Sequence, residues 1–273
     1  MRKIGFILAP LAILFGIAGF FLRRIQVSTV FDPISGLAVP NAGISLVLFA
    51  LSVIVVLLFF GLSFLAPKQE RADFATAFDG GMFPRVILSL LAVTMMLVGG
   101  GRILLLILLG DLQIFAFVWA AAACLTGLFL LLLALFGSSG RNVAIPSAIP
   151  VFFISLWLVL LHIDHAANPV LLVYIYRLFA LAFLLLGLYY IAGFAFGQAK
   201  VGRLTFAVTT ALYFTGVSLA DGTPMYQNVS LVVLAATALT YLLILTHNLS
   251  RPIWDAPPPD LDWTFDEEEA FNE

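Results

Sequence analysis

Ile44-Ser-Leu-Val-Leu-Phe-Ala-Leu-Ser-Val-Ile-Val-Val-Leu-Leu-Phe-Phe-Gly-Leu-Ser-Phe-Leu-Ala66 contains no ionisable side chain. Its length falls in the window of roughly 17–25 helical residues that a bilayer core about 30 Å thick demands. No water reaches that core, so the backbone must satisfy its own hydrogen bonds, and an open run of this kind has to be a helix. Comparable runs recur on both sides of it. They predict eight spans, at 4–22, 44–66, 85–109, 112–136, 146–163, 170–197, 204–220 and 229–247. The expected fold is an all-α polytopic transmembrane bundle over residues 1–250, followed by an acidic tail over 251–273.

Composition agrees with that reading. Of the 273 residues 63% are hydrophobic and only 10% are charged, whereas soluble domains carry about 25% charged residues. With 13 Lys and Arg against 15 Asp and Glu, there is no basic excess to neutralise phosphates, which excludes nucleic acid as a partner. The single cysteine, Cys124, lies in an apolar run and reads as a structural thiol. No phosphate-binding loop, His-Glu-x-x-His or Gly-x-Ser-x-Gly pattern is present, so the sequence implies neither a cofactor nor an enzyme.

The run beginning Met1-Arg2-Lys3 imitates a signal peptide but has no small-x-small cleavage site before Arg23-Arg24, and it reads as a retained anchor. The 204–220 run is the weakest span, being short and rich in Thr and Ser, which suits a helix packed against other helices better than one facing lipid. Eight spans place Arg2, Lys3, Lys68, Arg71, Arg85, Arg141, Lys200, Arg203 and Arg251 on one side and Arg23, Arg24 and Arg102 on the other. Basic residues concentrate on the cytoplasmic side. That predicts a multi-pass protein of the cell membrane, a bacterial inner membrane, with both termini cytoplasmic. The oligomeric state is not encoded in any visible pattern.

Two connectors carry more than a turn. In Gln26-Val-Ser-Thr-Val-Phe-Asp32-Pro33-Ile-Ser-Gly36-Leu37, β-branched residues precede a type I turn signal, which predicts a small β-hairpin on the outer face. An apolar span, Arg-Arg, then Phe-Asp-Pro-x-x-Gly-Leu resembles a pattern of uncharacterised bacterial polytopic membrane proteins over residues 20–40 or so. The resemblance implies no activity. In the 67–83 loop, Phe74 and Phe78 sit one helical turn apart among charges, which predicts a short helix lying in the headgroup layer.

Ionisable residues inside spans are expensive and mark candidate sites. Arg102 stands eight residues before Gly110, and Arg177 eight after Pro169. Both α-carbons therefore lie about 12 Å below the outer helix tips. Guanidinium suits the bidentate capture of carboxylate or phosphate, so the pair reads either as an anion site, with Asp164, Asp221 or an external anion as acceptor, or as two side chains that snorkel to lipid phosphates or pin helices together. Asp111 is out of phase with Arg102 along the helix. Arg23 is expected in the aqueous headgroup zone. His162 and His165 form a weak metal candidate in His-Ile-Asp-His, lacking a third ligand. Gly99-Gly100-Gly101 invites either a helix break beside Arg102 or close packing. Tyr174, Tyr176, Tyr189 and Tyr190 read as interfacial belt and bundle packing.

In the tail, Trp254, Trp263, Phe265 and Phe271 are interleaved with prolines and carboxylates. That composition cannot collapse into a core, and it offers a short linear motif for a cytoplasmic protein. The leading functional expectation is non-enzymatic binding or transport of a small molecule or lipid, with the bilayer as the main partner. The second is a scaffold that recruits a cytoplasmic partner through its tail.

Overall fold

The computed structural model describes residues 4–31, 39, 42–66, 73–110, 113–137, 143–166 and 173–249. These residues form helices α1 (Ile4–Thr29), α2 (Gly43–Ser63), α3 (Phe74–Ala77), α4 (Met82–Leu109), α5 (Ile114–Phe136), α6 (Ala144–His165), α7 (Ile175–Ala195), α8 (Val201–Ser218) and α9 (Met225–Asn248). Seven of them, α1, α2, α4, α5, α6, α7 and α9, are long and apolar enough to cross a membrane. The chain is thus a multi-pass integral membrane protein.

Two features of the expected fold are corrected. No strand occurs among the described residues, and the outer β-hairpin is not formed. Residues 26–29, expected in its first strand, extend α1 instead. Helical spacing lets Arg23 donate from Nη1 to Gln26 Oε1 at 2.7 Å, and the Thr29 hydroxyl donates to Ile25 O at 2.7 Å. One backbone bond, Val39 N–H to Val30 O at 2.9 Å, is all that joins the two limbs among the described residues. The turn signal itself, at 32–38, lies outside them.

Second, seven of the eight expected spans are long and apolar enough to cross a membrane. The 204–220 run folds as α8, whose 18 residues contain too many hydroxyls for the apolarity of the other seven. Its place in the bundle explains that composition. α8 packs on α1, α2, α7 and α9, and its threonines are buried rather than turned to lipid. Thr205 and Thr209 return their hydroxyl protons to Val201 O at 2.9 Å and Thr205 O at 2.8 Å. The α1–α8 approach is backbone against backbone. A Cβ on Gly216 would stand 2.8 Å from the Gly16 Cα, closer than any side chain tolerates.

α4, α5, α6, α7 and α9 close a ring, each packed on the next. α4 runs unbroken through Gly99-Gly100-Gly101, so the helix break is absent. Gly99 instead seats against the Cys124 backbone of α5, while Gly100 and Gly101 face open space. At one end α3 plugs the ring. Phe74 and Phe78 are buried there against Tyr241, at 6.1 and 5.1 Å between centroids. Asn248 Nδ2 donates to Ala77 O at 2.8 Å and Asp79 O at 3.1 Å. The expected headgroup-layer helix is therefore an inward plug, because both rings find partners in the ring interior. Asp111 and the tail residues Trp254, Trp263, Phe265 and Phe271 lie outside the described residues.

Two glycine substitutions separate close packing from helix propensity. Gly216→Leu should lower the thermal unfolding midpoint in detergent, at a cost of about 1–3 kcal/mol from overpacking. Gly100→Ala should be neutral or stabilising by up to about 1 kcal/mol. Equal responses would show that the α1–α8 approach does not hold the bundle together.

Candidate functional site

The unplugged end of the ring holds a cavity of about 950 Å³. Here the C-terminal ends of α6 and α8 meet the N-terminal ends of α5, α7 and α9. Gln113, Tyr174 and Pro224, the residues that cap those three N-termini, all line it. None of the three caps its helix through a side-chain hydrogen bond. Uncapped first-turn N–H groups are donors in want of an acceptor.

All four residues singled out as an anion site, Arg102, Arg177, Asp164 and Asp221, line this cavity, as does His165. Its floor is a continuous arc. The Arg177 guanidinium lies 5.5 Å from the centre of the Trp157 ring. Trp157 meets Trp119 edge to face at 5.3 Å, Trp119 meets Tyr226 at 5.1 Å, and the Arg102 guanidinium lies 4.7 Å over Tyr226. Five helices contribute one residue each. Arginine over aromatic faces is attracted by the ring quadrupole, which holds both guanidiniums at the ends of the arc.

The expected pairing of Arg177 with Asp221 is replaced by another. Arg23 is 1% exposed, not in an aqueous zone. Its Nε donates to Asp221 Oδ1 at 2.7 Å, and Nη2 donates to Val173 O at 3.0 Å. It also stacks over Tyr176 at 4.9 Å. Gln26, bonded to Arg23, donates in turn to Ser45 Oγ at 2.8 Å, so the network ties α1, α2, α7 and α8 together. Burial pushes the Asp221 carboxyl above the ordinary aspartate range, and the charges of Arg23 and Arg177 oppose that rise. Sequence spacing could have flagged Arg23, since Arg23 and Gln26 share a helix face if the helix continues past residue 22.

Arg177 is left with little. It too is 1% exposed, and its Nη1 donates to the neutral Asn228 Oδ1 at 3.2 Å. Among the described residues Arg177 Nε and Nη2, Arg102 Nε, Trp119 Nε1 and Asp221 Oδ2 have no hydrogen-bond partner. Asp164 is exposed at the rim. With Asp221 engaged by Arg23, the lining holds two arginines against one free carboxylate.

The histidines are not arranged around a metal. His165 lies 4.3 Å from Tyr174 between ring centroids, and its Nδ1 donates to Leu161 O at 2.9 Å. His162 is exposed. No group of three His, Cys, Asp or Glu among the described residues is placed to share an ion. Of the four tyrosines read as belt and packing, Tyr174 and Tyr176 are buried while Tyr189 is 57% exposed.

Removing Arg23 strands a buried carboxylate, which costs about 3–5 kcal/mol. Arg23→Met should therefore lower detergent stability sharply, while Arg24→Ala, at an exposed neighbour, should be silent. Arg23→Met combined with Asp221→Asn should be less damaging than the sum of the two, a coupling of about 0.5–3 kcal/mol. Additive losses would show that the pair does not act as one unit. Compared with protein-family models, with curated proteins and with solved structures, the chain matches none.

Proposed function

We propose that this membrane protein is a non-enzymatic binder of an anionic small molecule or lipid, held in the cavity between α4, α5, α6, α7 and α9. The observation that carries the reading is Arg177. It is a guanidinium almost wholly removed from water, with two N–H positions unpaired among the described residues and the nearby carboxylate committed to Arg23. A buried charge without a direct salt bridge costs several kcal/mol, and burying it is rational where a ligand completes it. Arg102, the Trp119 indole N–H and three uncapped helix N-termini add donors on the same lining. An anion with an apolar or aromatic body matches both the donors and the Trp157–Trp119–Tyr226 floor. The scaffold reading draws on 251–273, outside the described residues.

Buried Arg23 and Arg177 say nothing about which face meets the cytoplasm. With them set aside, the basic residues at the cavity end among the described residues are Arg24, exposed, and Arg102, half-buried. Lys200 and Arg203, both exposed, and Arg85, half-buried, belong to the plugged end. This supports a cavity open to the non-cytoplasmic side.

The two buried arginines should respond unequally. Arg177→Met keeps the volume and deletes a charge that makes no direct salt bridge among the described residues, so without ligand it should cost far less than Arg23→Met, which breaks one. Benzoate and phenyl phosphate should raise the unfolding midpoint of the wild type, benzyltrimethylammonium should not, and Arg177→Met should abolish the gain. A cation that protects as well as the anions, or protection that survives Arg177→Met, would refute the anion site. For orientation, Gly222→Cys in a Cys124→Ala background should react with an impermeant maleimide from outside intact cells, and Lys200→Cys should not.

A further inference from the structure

Ile114 and Phe115 line the cavity, yet they are 76% and 59% exposed. Both stand in the first turn of α5, whose outer surface belongs to the apolar mantle of the bundle. Across from them, Leu108 and Leu109 at the end of α4 are 71% and 73% exposed. In a membrane-spanning bundle, exposed apolar surface of this kind is the face that meets lipid. The same two side chains, at the α5 N-terminus, thus border both the cavity and the lipid face. Behind them the donors are deep: Arg177 and Trp119 are buried, in the arc that floors the cavity. A site reached only from water would need no apolar rim on its membrane side.

Resting on the anion-site reading above, we infer that the ligand is an anionic amphiphile from the bilayer. Its head would be held between Arg102 and Arg177 over the Trp157–Trp119–Tyr226 arc, and its tail would leave past Ile114 and Phe115. The chemistry shared with a soluble ligand is the carboxylate or phosphate that completes the guanidiniums. What separates the sources is the tail. A free anion needs only the donors, whereas an amphiphile gains from each methylene laid on the apolar rim. The cavity, at about 950 Å³, stands at the upper end of small-molecule pockets, ample for a headgroup and the first carbons of its chain.

Bromine on acyl chains quenches indole fluorescence at short range, so Trp119 and Trp157 report a tail in the cavity. The full chain carrying Trp254→Phe and Trp263→Phe would be placed in phosphatidylcholine nanodiscs doped with brominated phosphatidylglycerol, or with brominated phosphatidylcholine at the same fraction. Stronger quenching by phosphatidylglycerol is expected, with the excess lost in Arg177→Met and in Ile114→Asp. The second substitution adds a carboxylate at an exposed first-turn position that a helix accepts well, so it removes the tail path without unfolding the site. Equal quenching by the two lipids, with benzoate still protecting, would overturn the amphiphile and leave a site for soluble anions. An excess that persists in either variant would show lipid around the bundle rather than in the cavity, and also overturn it. Absence of both effects would remove the anion site itself.

Discussion

Asp221 offers the carboxylate nearest to two buried guanidiniums, and one of its oxygens accepts from Arg23 at 2.7 Å. Much of the molecule is arranged around that choice. The bond fixes the end of α1 against the end of α8, and through Gln26 and Ser45 it reaches α2. Through Val173 it reaches the start of α7. A buried ion pair contributes little net stability once desolvation is counted, but breaking it is costly, so its effect is to specify which helix ends meet. The same choice leaves Arg177 without a direct salt bridge among the described residues. One carboxylate between two cations produces both the structural lock and the polar demand of the cavity beside it.

The rest of the architecture follows from lipid as solvent. Hydrophobic burial does not drive helices together in a bilayer, so close approach has to come from small residues and internal polar bonds. Gly16 against Gly216 and Gly99 against the Cys124 backbone are such approaches. α8 is the extreme case. Its threonines would be a poor lipid surface, but wrapped by α1, α2, α7 and α9 they bond to their own helix and allow those helices near.

The long helices were legible because that solvent imposes one rule, about twenty apolar residues per crossing, and a run such as 44–66 satisfies it visibly. α8 was half legible: its hydroxyls marked it as inward, but the count of eight spans includes it although its apolarity falls short of the other seven. The hairpin misled because Val, Thr and Phe after Arg24 carry strand propensity, which yields to context when Arg23 and Gln26 gain each other by staying helical. Phe74 and Phe78 misled in the same way. One helical turn between two aromatics fits a headgroup-layer helix, and only the position of Tyr241 and Asn248 turns it inward. At the site, charge inside an apolar run exposed Arg102 and Arg177 at once. The pairing around them was not legible, because it depends on which helix ends adjoin: Arg23 takes Asp221 from 198 residues away, and Arg177 is left with Asn228.

The two ends of the five-helix ring make the functional asymmetry. At one end α3 drives Phe74 and Phe78 between Tyr241 and Phe194, with Phe78 and Phe194 at 5.0 Å, and Asn248 clamps the plug by its backbone carbonyls. At the other end three aromatics also meet edge to face, but as a floor, with guanidiniums at its margins and space above. Between them the ring is filled by Leu181, Leu184, Leu234 and Ala238, all at 0% exposure. Similar aromatic clusters therefore serve opposite purposes according to what surrounds them. Where carbonyls accept from a neutral amide between packed rings the ring is closed, and where arginine donors outnumber acceptors it stays open for a ligand that supplies the difference.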